Sequence, residues 1–139
     1  MSTVEPAKRL SGMCLCGRVA YTVDDAFDYA VNCHCSNCRR LTGSAFKPLA
    51  GIASGRLTLV RGAEEVLRYG EGASHNVGCR TCGAFLYAVV RDGTTVHVAM
   101  GTLIDTPRIR PTAHIFVGSK APWFTITDDL PQHEGFAPE

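Results

Sequence analysis

Cys33-His34-Cys35-Ser36-Asn37-Cys38-Arg39-Arg40 places three thiols within six residues and two guanidiniums directly behind them. In an extended segment Cys33 and Cys35 point to one face and His34 to the other. A turn at Ser36-Asn37 then brings Cys38 back beside them, with Ser36 as the expected N-cap of a short helix. Three sulfurs without a fourth ligand close by in the sequence is the pattern of a zinc site with one position open.

Working outward, the other thiols fall into two pairs. Gly12-Met13-Cys14-Leu15-Cys16-Gly17 carries a Cys-x-Cys, and Cys79-Arg80-Thr81-Cys82-Gly83 carries a Cys-x-x-Cys-Gly knuckle. A disulfide between such near neighbours is strained, so metal binding is the better account of both. The division of the seven cysteines that leaves none over is four plus three. Cys14, Cys16, Cys79 and Cys82 then surround one zinc, of the structural kind that closes a long loop, and Cys33, Cys35 and Cys38 surround another; spacing favours this division. The rival division closes the central cluster with one thiol from another pair and strands three. A second alternative closes it with a histidine, His97 or His114, as a purely structural zinc. His34 is expected to point away from its neighbours' metal, and His75 and His133 receive no role.

Between these motifs the chain reads as short strands. Arg18–Val23 alternates Val19, Tyr21 and Val23 against Arg18, Ala20 and Thr22, the pattern of a half-buried strand. Further strands are expected from Tyr29 to Cys35, within Gly43–Ser54, over Leu57–Val60, and at His114–Val117. Phe85–Val90 and Thr94–Met100 flank Arg91-Asp92-Gly93, a hairpin signal centred on Asp-Gly. Periodicity leaves Ala63–Tyr69 open between helical turn and strand. Met1–Ser11 reads as a loose lead-in and the chain past Pro131 as a frayed tail. The expected architecture is mainly β.

With 139 residues, 45% apolar and 19% charged, the chain is expected to form one globular domain over 1–139, its core spanning about 12–131. A net charge of +1 without a basic run argues against nucleic acid and membrane surfaces as partners. The longest apolar run, Ala84–Val90, is too short to span a bilayer. The first ten residues carry no apolar segment and read as no signal peptide. The expected compartment is therefore the cytoplasm, where clustered cysteines bind metal more often than they form disulfides.

Taken together, the motifs resemble the family named for the glutathione-dependent formaldehyde-activating enzyme and the centromere protein V domain. The matching pieces are Gly12-x-Cys14-x-Cys16-Gly17, Cys33-His34-Cys35-Ser36-x-Cys38-Arg39-Arg40, Cys79-x-x-Cys82-Gly83, Gly101-Thr102-Leu103, and Pro122-Trp123 with Asp128 and Pro131. The resemblance implies a β-tent of folded-over antiparallel sheets built around a structural zinc, with two zinc ions per chain. Cys14, Cys16, Cys79 and Cys82 correspond to the structural position, and Cys33, Cys35 and Cys38 to the catalytic one. The activity it implies is of the carbon–sulfur lyase type, on an adduct of a small thiol such as glutathione with an aldehyde such as formaldehyde. The alternative from another class is a non-catalytic, zinc-stabilised binding module. Trp123 and Phe124 read either as pocket lining or as a core plug, and Asp128 and Asp129 as a capped turn. Arg39 and Arg40 read either as solvated surface or as counter-charges to the anionic metal site or a substrate carboxylate.

Overall fold

A computed structural model describes residues 8–138. Ten strands and one short helix follow in the order β1 (Arg9–Met13), β2 (Ala20–Asp24), β3 (Tyr29–Cys33), α1 (Ser36–Thr42), β4 (Lys47–Ala53), β5 (Leu57–Arg61), β6 (Val66–Tyr69), β7 (His75–Cys79), β8 (Phe85–Val90), β9 (Thr95–Ala99) and β10 (His114–Ile115). They form a three-stranded sheet, β1-β2-β5, and a seven-stranded sheet, β10-β3-β4-β9-β8-β7-β6. Pairing is antiparallel throughout, except that β10 runs parallel to β3. The expected mainly β chain of antiparallel sheets is what the structure shows. None of the described helices is long and apolar enough to cross a membrane.

The alternation around β2 builds the main core. Val19, Tyr21 and Val23 are buried, and with Leu10 they meet Ile52, Val77, Leu86, Tyr87, Val96 and Val98 from the large sheet. Each such aliphatic side chain taken fully out of water contributes about 1.5–3 kcal/mol. A second cluster lies on the other face of the large sheet, where Val31, Cys33 and Leu49 meet Cys38, Ala113 and Ile115. This smaller cluster carries the three-thiol segment.

Several boundaries differ from expectation. Of the lead-in at 1–11, residues 1–7 lie outside the described part, but Arg9–Met13 is a paired strand. Its anchor is Leu10, fully buried opposite Val23; the strand's other apolar side chain, Met13, is three residues on and makes no period of two. Ala63–Tyr69 divides into a 3-10 turn and then β6. In the β8–β9 hairpin the residues with positive φ between the strands begin at Arg91 and Asp92, at 51° and 54°, and Gly93 N–H closes the turn on Val90 O at 3.1 Å. Two central residues with positive φ are the mark of a type I′ turn, so the turn sits one residue earlier than the Asp-Gly signal suggests.

The tail past Pro131 is tied down rather than frayed. His133 N–H bonds His114 O at 2.9 Å, Phe116 N–H bonds Gly135 O at 3.0 Å, and Phe136 packs edge-on against Phe116. Polar composition hid it, because the anchoring is mostly backbone hydrogen bonding. Trp123 is not a core plug: it is 72% exposed. Phe124 is the aromatic turned inward, 6.2 Å from the His34 ring and 5.4 Å from Phe46.

Candidate metal centres

Four cysteines meet where the two sheets meet. Cys14 follows β1 of the small sheet, and Cys79 ends β7 of the large one. Each pair turns on a glycine in the left-handed region, Gly17 and Gly83, both at φ 78°, a conformation that other residues adopt only with strain. The ligand atoms of Cys14, Cys16, Cys79 and Cys82 all lie within 4.8 Å of one another. Cys14 Sγ and Cys79 Sγ each stand 3.7 Å from Cys16 Sγ. Tetrahedral zinc with Zn–S bonds of about 2.3 Å requires sulfurs roughly 3.8 Å apart, whereas a disulfide requires about 2.05 Å. Backbone N–H groups of Val19 and Cys82 approach Cys14 and Cys79 sulfurs at 3.3 and 3.5 Å, as donors to thiolates do. Spacing and donor set both fit a tetrathiolate metal ion.

Cys33, Cys35 and Cys38 form the other group, again with sulfurs within 4.8 Å of one another. Cys33 ends β3 and Cys38 lies in the first turn of α1. The helix is capped by Cys35, not by Ser36 as expected: Cys35 Sγ accepts the Cys38 N–H at 3.2 Å. A cysteine of the three-thiol group thus also starts the helix, and Gly43 at φ 64° ends it. The Cys38 thiol is pulled down to about 5, chiefly by a hydrogen bond from Cys33 and also by the positive charge of Lys47, against the opposing effect of burial. Cys33 moves the other way, because its proton is held toward Cys38 and because it is buried. The shift favours a thiolate at Cys38, the form in which cysteine binds metal.

Neither candidate histidine joins the three sulfurs. His97 takes a hydrogen bond from Tyr29 Oη at 2.5 Å across Gly51, whose missing Cβ makes room for the tyrosine ring. His114 sits between Asp128, 3.0 Å from its Nε2, and His34, whose Nε2 is 2.8 Å from its Nδ1. An ionised Asp128 accepts from His114 Nε2–H, so His114 Nδ1 accepts from His34 Nε2–H. His34 is fully buried on this relay, and its Nδ1 has no partner among the described residues. Asp128 does cap a turn as expected, accepting Leu130 N–H at 3.0 Å, but it also orients His114. His75 bonds only the Ala73 carbonyl, at 3.1 Å.

Arg40 is exposed and donates to Asn37 at 3.1 Å, so it is the solvated member of its pair. Arg39 Nε is buried without a partner among the described residues. The cation that acts on the thiols is Lys47, which the sequence reading passed over inside an apolar strand. Its signal was visible: a single lysine in Ala45-Phe46-Lys47-Pro48-Leu49-Ala50-Gly51-Ile52 has no solvent-facing role in a strand that is otherwise buried.

The family model for "Glutathione-dependent formaldehyde-activating enzyme" matches residues 9–119. The chain belongs to this family. A solved structure of a Rhodobacter sphaeroides protein is 31% identical, with a TM-score of 0.58, covering 70% of this chain and 91% of its own. No curated protein matches. Both pairs of the tetrathiolate group and the whole three-thiol segment lie inside the stretch matched to the family.

Proposed function

We propose that the protein is a zinc-dependent enzyme of the carbon–sulfur lyase type, which makes or breaks the bond between a small thiol and an aldehyde. Glutathione and formaldehyde, the pair in the family's name, are the first substrates to test. The observation that carries the reading is the group of Cys33, Cys35 and Cys38, which no fourth protein ligand joins among the described residues. In this reading Cys14, Cys16, Cys79 and Cys82 hold a structural zinc and the three-thiol group a catalytic one, two ions per chain. The chain acts as one domain in the cytoplasm, without nucleic acid or membrane as partner.

Zinc on three thiolates would supply a soft Lewis acid, weak because the centre carries a net −1, yet able to hold a thiol in its deprotonated form. The protein's own part begins with the geometry. β3 and α1 deliver three sulfurs from one short segment, and the opposite face of that segment is locked by His34, His114 and Asp128. The substrate sulfur, having lost its proton, adds to the aldehyde carbon. The carbon–oxygen π pair moves onto oxygen, which takes a proton from water; the reverse sequence expels the aldehyde. Thiols add to formaldehyde readily without help, so the acceleration asked of the site is modest.

One observation favours the binding module as second reading. Two open surface hollows, about 530 Å³ beside Cys16, Arg18 and Arg61 and about 280 Å³ beside Tyr69 and Asn76, both lie away from the three thiols. Exchange NMR of glutathione with formaldehyde separates the two. The enzyme reading expects interconversion faster than background, with the excess lost in Cys38→Ser. Equal rates with and without protein favour the module.

A further inference from the structure

Lys47 stands in β4 directly opposite Cys33 of β3, and residues paired in this way project to the same face of the sheet. Its side chain is only 6% exposed. A buried ammonium is costly unless a charge or strong acceptor compensates it. Among the described residues no carboxylate lies within ion-pair distance of Lys47; the pairs that form involve Arg9, Arg56, Arg108 and His114. Its Nζ rests 5.2 Å from the Phe85 ring centroid, a contact that suits a cation but does not neutralise it. The group it faces is the three-thiol cluster, whose Cys33 stands directly across the strand pair.

The consequence follows from counting charge. Three thiolates around a dication leave the centre at −1, which opposes the arrival of another anion. Lys47 brings the pair of groups to zero, so that a fourth, anionic donor restores −1 instead of building −2. We propose that Lys47 is a positioning residue that lets the three-thiol centre accept an anionic fourth ligand, and so selects a thiol taken up as thiolate over neutral donors. This rests on the proposed function for the identity of the thiol, but not for the preference for anions.

The test uses the full chain with cobalt in place of zinc, titrated with glutathione, azide and imidazole and followed by the visible spectrum. Wild type, Lys47→Met and Lys47→Arg are compared, with metal content and melting temperature recorded for each. Lys47→Gln stands in should the methionine variant not fold. The neutral variant is expected to bind glutathione and azide at least about tenfold more weakly, hold imidazole within about twofold, and keep its metal; arginine is expected to restore anion affinity. Loss of azide affinity in a protein that never takes up glutathione would sustain the role of Lys47 while removing the proposed function. Equal weakening for imidazole and the anions would make Lys47 a packing residue and overturn the inference. Tighter thiol binding in Lys47→Met would overturn it too, by showing that the lysine nitrogen occupies the fourth position.

Discussion

Tyr29 and His97 show how the sheet face that carries Cys33 is kept in order. Tyr29 Oη donates to His97 Nε2 at 2.5 Å, over a glycine that leaves the ring its place. Burial, then the positive charges of Lys47 and Arg91, hold His97 down to about 4, against an ordinary 6.5. A base whose affinity for protons is lower when folded stabilises the fold fully above its unfolded value. That stability is lost as pH falls from about 6.5 through about 4. We expect the melting temperature to drop over this range, with at most ~3 kcal/mol attributable to His97. Acid also competes with metal for the thiolates, so the decisive comparison is His97→Gln, which should flatten the decline relative to wild type. An unchanged slope would remove His97 as a contributor. Tyr29→Phe leaves the His97 lone pair unmet and should cost about 1 kcal/mol in urea unfolding; a neutral result would mean that water replaces the hydroxyl.

Among the elements, the proposed function gives chemistry to β3 with α1 and stability to the paired turns after β1 and β7. The tetrathiolate group joins positions 63 apart in the chain and ties the small sheet to the large. Cys82→Ser should therefore cost several kcal/mol, since the energy of a structural zinc is folding energy. Cys38→Ser breaks a cluster that closes no long loop, and should lower metal content by one ion while keeping cooperative melting. Equal loss of cooperativity in both variants would contradict these roles. The thiol motifs and the alternating strands were legible because spacing and period-two patterning are local. Capping of α1 by Cys35 was not, because Ser36 is the better cap by side-chain type and only the three-thiol geometry makes a sulfur available there. The members of the His34–His114–Asp128 relay were illegible for another reason. Their partners come from strands and turns far away in sequence, and the parallel pairing of β10 with β3 that brings His114 to Asn32 has no turn signal.

For the whole molecule, two sheets share one core, one group of four sulfurs lies at their junction, and one group of three stands apart on the large sheet. Protein purified with metal present should contain close to two zinc ions per chain. A chelator should remove the ion of the three-thiol group first, since it has fewer protein ligands; a single, uniformly tight zinc would contradict the division of the cysteines. The most direct test is X-ray absorption at the zinc edge, which counts sulfur neighbours. Groups of four and three sulfurs predict an average of about 3.5 sulfurs per zinc at about 2.3 Å, rising to about 4 when glutathione is added and failing to rise with S-methylglutathione. An average that stays fixed with glutathione present, with a nitrogen neighbour completing the second ion, would show a closed structural site and contradict the account.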